Sequence, residues 1–215
     1  REVIYTRRRH ALYGEQIEID LNNIMCDFAE SFMEAHEGMD YETFSFELIR
    51  EVALQPTFDE AKYNSAKPKE IVELIVEDLR TLFARRQKAV ADTVRKTMEA
   101  IYKDNELTMD RVIHFPITDG HLGFHVPVEL QRCKDTDGME IYKVFSKIVL
   151  FTTIDDAWRE HLREMDELRQ SVQNAQYEQK DPLLIYKLES YDLFSKMLQK
   201  VNRESLGILD RAYIP

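Results

Sequence analysis

The sequence contains little glycine, proline or cysteine: 6, 6 and 2 of its 215 residues, respectively. Glycine is well under half of the roughly 7% found in an average chain, and it is the residue on which tight turns and phosphate-binding loops depend. No Gly-Lys pair, G-x-G-x-x-G or G-x-S-x-G pattern occurs, so the familiar nucleotide-binding loops and the serine nucleophile elbow are excluded. The shortage predicts a helical protein.

The two cysteines, Cys26 and Cys133, are far apart and form no C-x-x-C motif. A zinc ribbon is therefore excluded, a disulfide framework is not expected, and a reducing, cytosolic setting is predicted. Apolar runs are only a few residues long, whereas a membrane-spanning helix needs about 20, so we expect a soluble chain. Because the sequence starts at Arg1, without methionine and inside a predicted helix, we expect an excerpt of a longer protein.

Positive charge is also in short supply. The chain has 29 basic and 40 acidic residues and a formal net charge of -11. Such an excess of negative charge repels the phosphate backbone. Nucleic acid is therefore not expected as a functional substrate.

Residues 1–37 show the periodicity of one long amphipathic helix. The apolar positions four, three, four and four residues apart are Ile17, Leu21, Ile24, Phe28 and Phe32. With Gly14 as a weak point and not a stop, the helix is predicted to form a strut of about 50 Å. The basic run Arg7-Arg8-Arg9 has two interpretations, a solvated surface or a docking point for an acidic partner.

The next segments are predicted to be helical as far as residue 102. A helix near 41–53 ends before Pro56, since the residue preceding proline is disfavoured in helical conformation. Pro68 suits a helical first turn, and a long apolar periodicity continues from there to about Tyr102.

Residues 112–142 differ from the rest because apolar side chains alternate over 112–117 and 122–130 around the turn at Gly120, which predicts a β-hairpin. The same stretch holds the histidines 114, 121 and 125 together with Asp119. Residues 121 and 125 share a face if they lie on one strand. Two interpretations stay open, a metal site or histidines at the surface beside turns.

Residues 148–209 predict an antiparallel helical hairpin. The first apolar stripe is Phe151, Trp158, Leu162, Met165, Leu168 and Val172, interrupted by Asp155; the second is Leu184, Leu188, Tyr191, Phe194, Leu198 and Val201. About nine mostly polar residues, Asn174 to Pro182, connect them, and Pro182 suits the first turn of the second helix. Tyr177 is the large aromatic side chain of this loop, which suits contact with another macromolecule.

Several motifs in this part of the chain resemble the SecA family, the motor ATPases of the bacterial Sec preprotein translocase. The similarity is carried by Thr152–Gln170, Tyr177–Pro182, Tyr186-Lys187 and Glu189-Ser190, and at the other end by Arg1–Tyr5 with Arg8-Arg9. The resemblance is strong at both ends, and the middle is assigned by its position.

The resemblance implies a mainly α fold made of a long scaffold helix and an antiparallel two-helix finger, with an inserted helical wing domain that carries a small β element. Residues 1–37 correspond to the long helix of the helical scaffold domain. Residues 38–147 correspond to the helical wing domain, with short strands near 112–130. Residues 148–215 correspond to the scaffold's two-helix finger.

The resemblance also implies which residues function. The finger tip that contacts the translocating chain and the channel corresponds to Asn174, Gln176, Tyr177, Glu178, Gln179 and Lys180. Trp158, Arg163 and Arg169 correspond to the finger root and its regulatory contacts, where the two arginines are either solvated or paired with acids of the long helix. No catalytic, cofactor-binding or metal-binding residue is assigned.

The expected function is that of a motor fragment that couples ATP-driven movement to polypeptide transport and regulates the ATPase. Its expected partners are the nucleotide-binding and preprotein-binding domains of SecA, the SecY channel of SecYEG and unfolded preproteins. ATP and Mg²⁺ are expected in the parent's nucleotide-binding domains, and the location is cytoplasmic, peripheral to the inner membrane. A free-standing helical adaptor without motor activity is the alternative.

Overall fold

The computed structural model describes residues 2–13, 16–102, 111–172 and 181–215. The expected mainly α class with a small β element is confirmed. The elements are α1 (Glu2–Tyr13), α2 (Ile17–Ala35), α3 (Tyr41–Val52), α4 (Glu60–Ser65), α5 (Pro68–Tyr102), β1 (Val112–Thr118), β2 (Gly123–Glu129), α6 (Leu130–Asp135), α7 (Met139–Val172) and α8 (Pro182–Arg211). No helix in these described ranges is long and apolar enough to cross a bilayer.

The first segment differs from the predicted strut of about 50 Å. In one straight helix, residues 7 and 27 would be about 30 Å apart, yet Arg7 Nη2 lies 3.2 Å from Asp27 Oδ2. The chain therefore reverses between α1 and α2. Gln16, at the start of α2, has a left-handed backbone (φ 60°) and no side-chain cap hydrogen bond, and Gly14, a poor helix former, precedes it.

The main core lies between α2, α3, α5, α7 and α8. Phe28, Phe44, Ile75 and Phe145 are among its buried side chains, and Leu206 of α8 is fully buried with them. Tyr142 of α7 donates a hydrogen bond from its hydroxyl to the Leu209 carbonyl over 2.5 Å. The predicted helix from Pro68 to Tyr102 is confirmed as α5, which contacts α2, α7 and α8 along its length.

The predicted β-hairpin is confirmed as an antiparallel pair of strands. β1 and β2 align Val112 with Glu129 and Thr118 with Gly123. Alternate residues of the hairpin are buried, and Phe124 packs edge to face on Phe145 of α7 with ring centroids 5.3 Å apart. Near the end of the chain, Tyr213 exchanges two backbone hydrogen bonds with Thr118.

The predicted antiparallel helical hairpin is confirmed in α7 and α8. Asp181 caps α8 by accepting hydrogen bonds from the backbone amides of Leu183 and Leu184, and Pro182 occupies the first turn. The division into scaffold and wing stays a prediction. Its proposed boundary between residues 147 and 148 falls inside the continuous helix α7.

Candidate functional site

The root of the helical hairpin is a joint of three helices. We define the root as residues 151–161 of α7 and 194–205 of α8 together with α1, and the distal half as residues 162–172 and 182–191. A separate apolar cluster fills the root, formed by Ile4, Ile154, Ala157, Met197 and Val201. Each well-buried side chain of this kind stabilises the fold by roughly 1.5–3 kcal/mol, so α1 is held firmly against the hairpin.

Trp158 lies at the edge of this joint and is half-buried. Its ring meets Tyr5 of α1 edge to face at a centroid distance of 6.2 Å. It also lies 5.5 Å from the ring of His161 on its own helix. Trp158 of α7 therefore packs against α1 at the edge of the root cluster.

An ion pair reinforces the joint. Arg8 of α1 has its Nε 2.7 Å from Oδ1 of Asp155, and its Nη2 donates a hydrogen bond to Oδ2 over 3.1 Å. The same guanidinium lies 5.2 Å from the centre of the Phe151 ring, within cation–π range. Asp155, which interrupts the predicted apolar stripe of α7, is thus the residue that binds Arg8 of α1.

The basic run on α1 faces the hairpin and α2. Arg7 forms an ion pair with Asp27 and its Nη1 lies 3.5 Å from Asn202 Oδ1, while Arg8 binds Asp155. Neither interpretation made from the sequence anticipates these contacts, since two of the three arginines bind acids of their own chain.

The two predicted regulatory arginines are both exposed. Arg163 pairs with Glu160 one turn away on α7, at 3.5 Å; among the described residues it forms no ion pair with an acid of α1 or α2. Arg169 lies farther along α7, at a cleft of about 520 Å³ that Trp158, Tyr186 and Phe194 also line. Both arginines thus lie in the distal half, although Arg169 lines the same cleft as Trp158 of the root.

His161 is the polar residue buried in this cleft. Its Nδ1 has no hydrogen-bond partner within the described residues. Burial lowers the pKa of His161, with the nearby Glu164 opposing the change. A second polar contact within the root links α7 to α8. Thr153 Oγ1 and Ser205 Oγ lie 2.8 Å apart, and both are buried.

The distal half departs from the predicted apolar seam. Leu184, Leu188 and Tyr191, predicted to pack on α7, are 55%, 64% and 76% exposed, and Leu162 is 40% exposed. Leu168 and Val172 are buried as predicted. The second helix presents its distal apolar stripe to solvent because, in the part of the chain that the structure describes, the distal half has no third helix packed on it as α1 packs on the root.

The predicted tip residues, Asn174, Gln176, Tyr177, Glu178, Gln179 and Lys180, lie outside the described residues.

Within the described residues, the histidines of the β-hairpin and Asp119 form no group of three with metal-ligand spacing. His114, His121 and His125 are exposed, and His121 precedes the start of β2 at Gly123. Asp119 accepts hydrogen bonds from the amides of His121 and Leu122, so its Oδ1 holds the turn. Within the described ranges, the grouping with metal-ligand spacing is a different one, His36, Glu47 and Glu51.

Sequence reasoning missed the residues that fix the root. Arg8, Thr153, His161 and Ser205 are polar, and an apolar periodicity does not mark them. One signal was available for Arg8: an aspartate in an apolar stripe needs a cation or donor when it is partly buried.

The comparisons with known proteins are specific. The family model described as the SecA Wing and Scaffold domain matches residues 1–212. The protein translocase subunit SecA of Porphyromonas gingivalis is 41% identical over 216 residues, which cover this whole chain and 19% of that protein. The subunit of Parabacteroides distasonis is 43% identical over 215 residues, with the same coverage of 100% and 19%. The chain thus spans about a fifth of the length of the curated relatives that it matches.

Proposed function

The chain belongs to the SecA wing and scaffold family, as its motifs had predicted, and from that premise we propose that it serves protein translocation as the non-catalytic mechanical part of a longer motor. In this proposal the chain couples ATP-driven movement to polypeptide transport through the SecY channel, and it restrains ATP hydrolysis when no preprotein is present. ATP and Mg²⁺ belong to nucleotide-binding domains outside this chain.

The observation that carries the proposal is the three-helix joint at the hairpin root. Ile4 is buried against Ile154 and Val201, and Arg8 binds Asp155 across the same interface. Because close-packed side chains transmit displacement, a movement of α1 is passed to the base of α7 and α8. In this proposal α7 and α8 then carry that movement to residues 173–180, which connect them.

The loop is the proposed contact with unfolded preproteins and with the channel. Tyr177 offers apolar area with a hydrogen-bonding tip, and the neighbouring Gln176, Glu178, Gln179 and Lys180 are polar. Such a combination binds many sequences weakly, which suits transport of unrelated polypeptides. Asn174 completes the proposed tip, while Trp158 of the root and Arg163 and Arg169 of the distal half are proposed to contact the motor's other domains.

Translocation measured with a full-length motor carrying this chain tests the tip. We expect Tyr177→Ala to impair translocation strongly while ATP hydrolysis without preprotein continues. The matched control is Tyr13→Ala, because Tyr13 is 72% exposed and belongs to α1, not to the segment that connects α7 and α8. Unchanged translocation by Tyr177→Ala, or equal loss in the control, would remove the tip from the mechanism.

Regulation is tested with the 215-residue chain itself. We expect it to bind isolated nucleotide-binding domains of SecA and to suppress their ATPase activity. An Arg163→Ala, Arg169→Ala double variant is expected to suppress less. Absence of both binding and suppression would favour the alternative, a helical adaptor that binds partners through its exposed apolar side chains.

The partners in this proposal are the nucleotide-binding and preprotein-binding domains of SecA, SecYEG and unfolded preproteins. The proposed location is the cytoplasm, peripheral to the inner membrane. Nucleic acid is not among the proposed partners, since the net charge of -11 repels it.

A further inference from the structure

We propose that His36, Glu47 and Glu51 form a binding site for a divalent transition-metal ion such as Zn²⁺. One ring nitrogen of His36 and one carboxylate oxygen from each glutamate all lie within 4.8 Å of one another. Ligands of a single ion, each about 2.0–2.2 Å from it, lie at most about 4.4 Å apart, so small movements of these side chains bring the three atoms into range. The site is independent of the proposed translocation function.

The local structure explains why the three side chains meet. His36 is the residue at which α2 ends. Glu47 and Glu51 are four residues apart on α3, so they lie on the same face of the helix. Asp40 caps the start of α3 by accepting a hydrogen bond from the Thr43 amide, which fixes the short connection between the two helices. The site therefore joins the end of α2 to α3.

The imidazole of His36 is held in place by contacts within α2. Its Nδ1 lies 2.8 Å from the Phe32 carbonyl oxygen, an acceptor that requires the proton on Nδ1. In the neutral ring the lone pair is then on Nε2, the arrangement by which a second hydrogen bond prepares histidines for metals. Stacking on Phe32, with centroids 4.1 Å apart, holds the ring plane.

The carboxylate side of the site is incompletely satisfied. Glu47 Oε2 is buried and receives no hydrogen bond within the described residues, although the guanidinium of Arg50 forms an ion pair with it. His36 and Glu51 line a cleft of about 90 Å³ together with Arg203. A bound cation competes with Arg50 for Glu47, which predicts moderate affinity.

The donor set indicates the class of ion. One imidazole nitrogen and two carboxylate oxygens suit borderline ions such as Zn²⁺ and Co²⁺, whereas Mg²⁺ and Ca²⁺ prefer oxygen ligands alone. Three protein ligands leave a coordination position for water. The expected consequence of binding is stabilisation of the α2–α3 junction.

Cobalt titration of the tag-free, chelator-treated chain tests the site, with Co²⁺ as a coloured probe for Zn²⁺. We expect one Co²⁺ per chain with a visible absorption band that Zn²⁺ abolishes. Zn²⁺ at ten times its dissociation constant is expected to raise the melting temperature by about 3–6 °C. Because His36→Ala also removes a stacked ring, Glu51→Gln, which preserves size, is the second variant, and both are expected to lose the band.

Two controls make the result decisive. Glu42→Gln changes an exposed glutamate on the same helix, and His121→Ala changes an exposed histidine of the β-hairpin; both are expected to bind Co²⁺ like the unchanged chain. Absence of a band in the unchanged chain would overturn the proposal. A band that survives Glu51→Gln, or one that His121→Ala abolishes, would overturn it as well.

Discussion

The root and the distal half of the hairpin have the same helical periodicity but bury it differently. At the root, Ile154 is 3% and Val201 is 1% exposed, whereas Leu188 and Tyr191 of the distal half are 64% and 76% exposed. Two antiparallel helices bury only the side chains that face each other. At the root, α1 covers a second face, and polar contacts such as Arg8 to Asp155 fix the arrangement.

Apolar periodicity therefore identifies the face of a helix that can be buried, but not the element that covers it. The difference also separates two mechanical roles along one pair of helices. The root holds the hairpin to α1, and the distal half extends beyond that support. Substitutions at matched positions in the two halves test this separation.

The largest expected difference comes from truncating one aliphatic side chain in each half. Ile154→Ala leaves a cavity in the root cluster and is expected to cost about 2–5 kcal/mol of unfolding free energy. Leu188→Ala, at an exposed position, is expected to change it by no more than about 0.5 kcal/mol. Urea unfolding of the chain measures both. Similar losses would mean that the distal leucine is buried in solution.

Asp210 and Asp192 extend the comparison to charge, since both lie on α8. Asp210 is fully buried and neither carboxylate oxygen has a donor within the described residues. Burial raises the pKa of Asp210 well above its usual value, although Arg86 and Arg211 oppose this. The folded chain therefore keeps a proton on Asp210 that the unfolded chain releases. The stability that Asp210 contributes is fully present below its unfolded pKa, ordinarily 3.8. It is lost as the pH rises through the folded pKa.

Asp210→Asn is expected to remove this pH dependence. Between the unfolded and the folded pKa of Asp210, the proton taken up on folding makes the free energy of unfolding fall by about 1.4 kcal/mol for each unit of rising pH. Urea unfolding from pH 4 upward should thus show stability falling in the unchanged chain relative to the variant. Asp192→Asn, whose side chain is 59% exposed, is the control and should follow the unchanged chain. A pH profile of Asp210→Asn parallel to that of the unchanged chain would contradict the prediction.

The sequence predicted the elements well where one physical signal dominated. Proline at position 68 and a long apolar periodicity located α5, and alternation around Gly120 located the β-hairpin. The motifs of the hairpin identified the family. These signals are local, because each depends on neighbouring residues of a single segment.

What the sequence did not predict depends on tertiary contacts. The reversal between α1 and α2 brings Arg7 to Asp27, and no local pattern distinguishes it from a continuous helix with a weak point at Gly14. On α7, Ile154, Ala157 and His161 are buried while Leu162 is exposed, because α1 covers the side of α7 on which the first three lie. His36, Glu47 and Glu51 are brought together by the α2–α3 junction.

A smaller effect is expected from the buried hydroxyl pair. Thr153 Oγ1 also bonds the Val149 carbonyl, at 2.9 Å, so Ser205 donates to Thr153. Ser205→Ala removes that donor but leaves Thr153 partly satisfied, and the expected cost is about 1 kcal/mol. The control is Ser190→Ala in the distal half, where the hydroxyl donates to the Lys187 carbonyl of its own helix. Thermal unfolding showing equal losses would remove Ser205 from the root's specific contacts.

The smallest expected effect compares two ion pairs in a double-mutant cycle. Arg8 and Asp155 join two helices, with side chains 42% and 27% exposed, whereas Arg163 and Glu160 lie one turn apart on α7, with side chains 67% and 48% exposed. We expect a coupling energy of about 0.5–1 kcal/mol for the first pair and about 0.3 kcal/mol for the second. The more exposed pair should lose more of its coupling in 1 M salt, because screening acts mainly on exposed charges. Since the Arg8 pair crosses from α1 to α7, equal coupling energies would contradict the larger contribution expected of the interhelical pair.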